Sequence, residues 1–305
     1  MEQIQELGDF AHSFGCEVRF DEPMNRHTTF HIGGPADLFV VVPDCLSLQK
    51  LCVRAADCGV PLMPLGNGSN LLVSDSGIRG AVVSFGGKIK EISLCGGTWL
   101  DCGAGASLAA ACRFARAHSL TGLEFAYGIP GSVGGAAFMN AGAYGHSVSE
   151  FIVSCSHIAL NGRTGTFRKK ELNFNYRKSR YSCGKYLITG IRFRLERGDQ
   201  AQISARMEEL YSRRKNRQPL DLPSAGSVFK RPEGHYAGAL IEQCGLKGRR
   251  VGGAAVSEKH AGFIVNLGGA SCSDVRKLIS VIQETVLRET GVRLECEVKM
   301  AGQFG

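Results

Sequence analysis

Between Gly128 and Gly145 the chain reads GIPGSVGGAAFMNAGAYG, with six glycines, one proline and no charged residue. Such a run does not make an ordinary helix or strand, because each interior glycine weakens either one. It suits tight turns between strands, or a backbone that presents bare N–H groups to a bulky anion such as a phosphate or pyrophosphate. On glycine content alone both readings stand. A second stretch of the same character, Pro64–Gly80 (PLGNGSNLLVSDSGIRG), adds weight to the second. Two Gly/Ser/Asn loops, each followed by small or apolar residues, point to one extended ligand held from two sides.

The chain has 305 residues, enough for two or three domains and a substantial core. Its 44% hydrophobic and 21% charged residues are those of a soluble globular protein. No run of 18 apolar residues predicts a membrane span. The start, MEQIQELGDFAHSFG, lacks the basic-then-apolar layout of a signal peptide, so a cytoplasmic location is expected. The net charge of +8 is spread along the chain. Its densest basic run, Arg213, Arg214, Lys215 and Arg217, has no interleaved aromatic platform of the kind nucleic-acid binders use, and an anionic small substrate explains the positive balance at least as well.

Twelve cysteines show no C-x-x-C spacing and no histidine pair at zinc-site spacing. They are expected to be reduced and structural, Cys52 and Cys112 acting as small hydrophobes within helical patterns. His27 and His31 lie in a segment expected to be a strand, which separates the two imidazoles, so no metal is expected.

In chain order, a short leading helix precedes the breaker Gly33-Gly34-Pro35 and a strand at Leu38–Val42. Asp44 caps a helix whose apolar residues Leu48, Leu51, Cys52 and Ala55 recur at helical spacing. A strand at Pro61–Leu65 enters the first glycine loop. This βαβ-like unit lacks a G-x-G-x-x-G opening a helix, which disfavours a standard dinucleotide fold. A strand at Ala81–Phe85, an alternating segment at Ile89–Leu100 and a helix from Ser107 to His118 follow. Strands at Phe151–Leu160 and Tyr186–Leu195 flank the polar NFNYRKSRY. An amphipathic helix over Gln200–Lys215 opens a separate C-terminal domain, with a linker at Arg217–Ser224. That domain holds a helix near Tyr236–Cys244, a strand at Gly262–Asn266, a long helix capped by Ser273, and a final strand Val292–Met300. The fold class is α+β.

Four residues rise above the background: Arg177 in NYRKSRY, Ser227 in SAGSVFK, His260 in SEKHAGF and Glu297 in LECEV. Glu295 and Glu297 would share one face of the closing strand. A carboxylate in that mostly apolar strand is costly unless paired. The segments TTFHIGGPAD, PLGNGSNLLVSD, GLEFAYGIPGSVGGAAFMNAGAYG, YRKSRY, PSAGSVFK, LIEQCGLKG, GGAAVSEKHAGFIVN and LECEV run almost end to end. In them the sequence resembles the UDP-N-acetylenolpyruvoylglucosamine reductase family of cell-wall (peptidoglycan) synthesis. The short third domain, without an added loop carrying a substrate-binding tyrosine, resembles the shorter of the family's two subtypes.

The resemblance implies a two-part FAD-binding region of the vanillyl-alcohol-oxidase type, spanning 1–80 and 81–198, and a smaller α+β substrate-binding domain at 199–305. Gly66, Asn67, Gly68, Ser69 and Asn70 would then hold non-covalent FAD together with Gly128, Pro130, Gly131, Ser132, Gly134, Gly135, Asn140, Gly142, Ala143 and Tyr144. NADPH would reduce the flavin and leave, and the enolpyruvyl sugar nucleotide would take its place. The family's catalytic positions fall on Arg177, Ser227 and Glu297. Arg177, helped by Glu297, would stabilise the enolate formed on hydride addition, and Ser227 would deliver the proton. Arg217, Lys230 and His260 would contact substrate. Two other readings are an FAD oxidase of the same fold using oxygen and a non-catalytic nucleotide-binding module. The oxidase often binds its flavin through His or Cys. None lies within 128–145, although Cys102 and His146 are near matched loops.

Overall fold

The computed structural model describes residues 2–304. The chain divides into two compact units, each with its own apolar core. The first comprises Met1–Asp21, Asp37–Asn67 and Gly80–Ser212; the second comprises Glu22–Ala36, Gly68–Arg79 and Arg213–Gly305.

In the first unit, helices α1 (Glu2–Ser13), α2 (Cys45–Asp57) and α3 (Leu108–Ala117) follow the pattern of their apolar residues. Asp44 caps α2 by accepting the Ser47 amide at 2.8 Å, and Leu48, Leu51, Cys52 and Ala55 are buried beneath it. Ser107 caps α3 in the same way through the Ala110 amide at 3.1 Å. A five-stranded antiparallel sheet runs in the order Thr164–Arg168, Ile152–Ala159, Tyr186–Arg194, Trp99–Gly103, Ile92–Cys95. A four-stranded sheet runs in the order Glu17–Pro23, Pro35–Val42, Ile78–Phe85, Leu62–Leu65, the last pair parallel.

Within the glycine stretch, Val133–Met139 forms a short helix, α4, where an ordinary helix was not expected. Tertiary bonding overrides propensity here. The amides of Val133 and Gly134 donate to the carbonyls of Ala106 and Ala104, each at 2.8 Å. A Cβ on Gly134 would lie 2.8 Å from the Ala104 Cβ, so this approach requires a residue without one. Glycine is kept for proximity, and the helix forms despite it. The segment Thr164–Arg168, left unassigned by sequence pattern, pairs along its length with Ile152–Ala159.

Helix α5 (Gln200–Arg217) carries Ile203, Met207 and Leu210 into the first core, so its greater part belongs to the first unit rather than opening a new domain. Conversely, Gly68–Arg79 belongs to the second unit, because Leu71–Val73 pairs in parallel with Lys299–Ala301 near the end of the chain.

The second unit is built on a four-stranded antiparallel sheet in the order Ser224–Ser227, Phe263–Asn266, Ala254–Val256, Arg250–Val251. Helices α6 (Ala237–Gln243) and α7 (Cys272–Thr290) contribute Leu240, Ile241, Val275, Leu278, Ile279, Ile282 and Val286 to its core. The cap of α7 is Ser271, paired with Asp274 in a capping box, and Ser273 sits inside the helix. The carboxylate of Asp75 accepts from the Cys272 and Ser273 amides at 2.7 and 2.9 Å, so a residue distant in sequence completes this helix start. The expected closing strand shrinks to Lys299–Ala301, preceded by an isolated bridge between Phe229 and Cys296. Likewise, His27 and His31 lie in a turn after a short 3-10 segment, with His31 at φ +55°, and not in a strand.

Candidate active site

In the first unit, the turn before α4 is sewn to the turn before α3. The Leu108 amide donates to the Gly131 carbonyl at 2.9 Å, and Ser132, only 2% exposed, accepts the Gly135 amide on its Oγ at 3.1 Å. With Val133 and Gly134 already bonded to Ala106 and Ala104, the first three amides of α4 face protein acceptors. The expectation that this stretch offers bare N–H groups fails at these residues. It holds elsewhere. Among the described residues, none of the amides of Gly66, Asn67, Gly68, Ser69 and Asn70 donates to a protein acceptor. Gly66 approaches Ser132 so closely that a Cβ there would lie 2.4 Å from the Ser132 Oγ. The two glycine-rich segments therefore meet at this point.

Of the remaining predicted positions here, Gly128 and Gly131 are half-buried, Pro130 and Gly135 are exposed, and Asn140 is buried. Gly142–Ala143 pairs with His146–Ser147 in a small hairpin. At its turn Tyr144 is 40% exposed, with its hydroxyl donating to the Leu210 carbonyl at 2.8 Å.

Arg177 lies in a four-residue turn closed at both ends. The Asn175 amide donates to Lys178 O at 2.9 Å, and the Lys178 amide donates back to Asn175 O at 3.2 Å. Arg177 sits at φ +54°, a conformation that costs an L-residue about 1–2 kcal/mol. Its Nη2 donates to the Gly142 carbonyl at 3.5 Å, and its guanidinium lies 5.0 Å from the centre of the Tyr176 ring. The first unit thus brings Arg177 against the glycine stretch.

The second unit gathers a different set. Ser227 ends the strand Ser224–Ser227, opposite Phe263. The Val228 carbonyl, one residue on, accepts the Glu297 amide at 2.7 Å. Asn70 Nδ2 donates to the Glu297 carbonyl at 3.3 Å, and Asn70 O accepts from the Lys299 amide at 3.0 Å. Ser227, Glu297 and the loop through Asn70 are therefore neighbours. Glu295 turns outward to Lys230, whose Nζ donates to it at 2.9 Å. That bond and the lysine's charge hold the Glu295 carboxyl below the usual range. His260 is half-buried and its Nδ1 accepts the Gly262 amide at 3.1 Å, which leaves the proton on Nε2. Arg217 is exposed in the last turn of α5.

Sequence reading missed the ties that hold these residues. The side chain of Asn70 fastens Glu297 by its carbonyl. Ser179 was unmarked, yet its hydroxyl donates to the Phe138 carbonyl at 2.8 Å. All twelve cysteines are free, Cys52 and Cys112 buried.

Burial lowers the pKa of His157, which stacks on Phe167 with ring centroids 4.2 Å apart, and of His260, each from an ordinary 6.5. The unfolded chain then binds protons that the folded chain refuses. Stability should be full above the unfolded value and fall as pH drops through it. Carboxylates held low, such as Asp44, act only at lower pH. Urea midpoints measured at about pH 7.5 and 5.5 should show this decline, and His157→Phe should make it shallower, leaving the part due to His260.

The model of a family described as FAD binding domain matches residues 36–167. The model described as UDP-N-acetylenolpyruvoylglucosamine reductase, C-terminal domain, matches residues 218–301. A UDP-N-acetylenolpyruvoylglucosamine reductase from Agathobacter rectalis is 48% identical over 295 residues, covering 93% of this chain and 94% of that one. One from Lactococcus lactis subsp. cremoris is 43% identical, covering 94% and 95%. The crystal structure of the reductase from Thermus caldophilus is similar with a TM-score of 0.81 and 37% identity, covering 94% of this chain and 98% of that one.

Proposed function

The chain belongs to the UDP-N-acetylenolpyruvoylglucosamine reductase family, and from that membership we propose which of its residues carry the reaction. It is an FAD-dependent oxidoreductase of peptidoglycan-precursor synthesis. With NADPH as reductant, it converts the enolpyruvyl group of UDP-N-acetylglucosamine-enolpyruvate to the lactyl ether of UDP-N-acetylmuramate.

FAD, when bound, supplies hydride transfer from NADPH to the methylene carbon of the enolpyruvyl group. In our reading the amides of Gly66–Asn70 hold its phosphates and the stretch 128–145 borders it. A loop of successive unpartnered amides, tight enough that a Cβ on Gly66 would press on the Ser132 hydroxyl, fits a dinucleotide's phosphates. We assign the FAD-binding work to 1–80 and 81–198 and substrate binding to 199–305, functional divisions that differ from the two compact units at Gly68–Arg79 and at α5, and the protein to the cytoplasm. Among the described residues no helix is long and apolar enough to cross a membrane.

Hydride addition to the alkene leaves a negative charge that spreads into the adjoining carboxylate as an enolate. The Arg177 guanidinium stabilises that charge, a task for which a cation fixed in place is well suited. Glu297 holds the same end through a shared hydrogen-bonded group. Ser227 gives its hydroxyl proton to the carbon next to the carboxylate; the carbanion-like acceptor is basic enough to take it. Arg217, the Nε2–H of His260 and Lys230, which keeps two further N–H donors beside the one on Glu295, are assigned to the substrate. The observation that carries this reading is the 2.7 Å bond from the Glu297 amide to Val228 O, which fastens Glu297 to the residue after Ser227.

Arg177→Ala is expected to slow the return of flavin colour on adding the enolpyruvyl substrate by about 10²–10³-fold. Arg177→Lys should recover only part of that, because an ammonium lacks the planar fork. Anaerobic stopped-flow absorbance checks both. Parental rates in the alanine variant would remove Arg177 from the chemistry.

A further inference from the structure

Asn140 ends α4 in the left-handed conformation, φ +44°, and its side chain is buried, with the whole residue 8% exposed. Both ends of that side chain are in use. Nδ2 donates to the Asn175 carbonyl at 3.0 Å, and Oδ1 accepts the Ser149 amide at 3.2 Å. The orientation is forced, because a carbonyl only accepts and an amide N–H only donates. Asn175 opens the closed turn that carries Arg177. The other side of the same turn is tied by Ser179, whose hydroxyl donates to the carbonyl of Phe138, two residues before Asn140. The end of α4 therefore grips the turn on both flanks, and Arg177 reaches from it to the Gly142 carbonyl.

We propose that Asn140 is a positioning residue for Arg177, aiming the guanidinium by fixing the turn on which it is mounted. The proposal rests on the reading of Arg177 as the charge-stabilising group. An arginine at φ +54° in an exposed turn has other conformations available, so something must over-determine the one seen. The two ties to α4 do so. Small displacements of a charge-stabilising group are costly: a shift of about 1 Å lowers a rate by up to about a hundredfold.

The test uses Asn140→Gly and Asn140→Asp in the FAD-loaded enzyme. Glycine keeps the left-handed cap and deletes both ties. Aspartate keeps the acceptor for Ser149 and loses the donor to Asn175. In anaerobic stopped flow with NADPH and then UDP-N-acetylglucosamine-enolpyruvate, Ser179→Ala, at a residue with no part in holding FAD, should bleach within about twofold of the parent and regain colour about tenfold to a hundredfold more slowly at saturating substrate, and both Asn140 variants should slow colour return by a larger factor than bleaching. In an Arg177→Ala background, Asn140→Gly should add less than about twofold, because the group it positions is gone. Loss of FAD, equal slowing of both half-reactions, or a full additional slowing in that background would overturn the proposal. Arg177→Ala alone leaving colour return unchanged would instead overturn the reading of Arg177. Ser179→Ala, which releases the other flank without touching the cap of α4, should reproduce the selective slowing if the Asn140 variants fold poorly; a parental rate there would count against the proposal.

Discussion

Ser227→Ala is expected to leave bleaching of the flavin by NADPH within about twofold of the parent and to slow the return of colour by about 10²–10⁴-fold, the usual contribution of a positioned proton donor. The substitution is mild for the fold. Ser227 is half-buried, its pairing with Phe263 is made by the backbone, and alanine removes one oxygen without disturbing the Glu297 amide bond to Val228 O. A selective effect on the second half-reaction would therefore report chemistry and not folding. Anaerobic stopped flow separates the two steps in one experiment. Equal slowing of both, or none, would mean that the proton comes from another group.

Gly68→Ala should destabilise the protein by about 2–5 kcal/mol and strip it of FAD. Two costs add. Gly68 has φ +59°, where an L-residue loses about 1–2 kcal/mol. A Cβ would also lie 2.2 Å from the carbonyl oxygen of His27 and 2.8 Å from the Thr28 Cα. Both are backbone atoms that no rotamer change can move, and forcing them apart costs a further 1–3 kcal/mol or so. The displaced segment is the loop that offers its amides. Gly245→Ala is the control: φ is +68°, but nothing lies within 4 Å of its Cβ, so only the backbone strain of about 1–2 kcal/mol should appear. Urea midpoints measure the stability, and the flavin-to-protein absorbance ratio after gel filtration measures FAD retention. Equal losses in the two variants would show that the close approach to His27 is relieved at no cost.

Local order was legible wherever a local interaction decides it. Asp44 and Ser107 announce the starts of α2 and α3 because a cap bonds an amide three residues away. The apolar spacing of Val275, Leu278, Ile279, Ile282 and Val286 announces the buried face of α7 for a like reason. The serine pattern alone points to Ser273 as the cap of α7 where Ser271 serves, since both are serines before an apolar run and only the Ser271–Asp274 box tells them apart.

The amino-acid sequence by itself determined the α+β class, the main helices, the reductase family and the segments in which its chemistry is sought. Three matters were left to the tertiary structure. Val133–Met139 becomes a helix because Ala104 and Ala106 accept its first amides. The same bonds decide that the unpartnered amides belong to Gly66–Asn70 and not to the start of α4. Segment Gly68–Arg79 joins the second unit because Leu71–Val73 finds its partner at Lys299–Ala301. In each case the deciding acceptor or strand is distant along the chain. Residue type and spacing encode what a backbone prefers over one or two turns, whereas the partner that satisfies a given N–H is chosen only once the chain has closed around it.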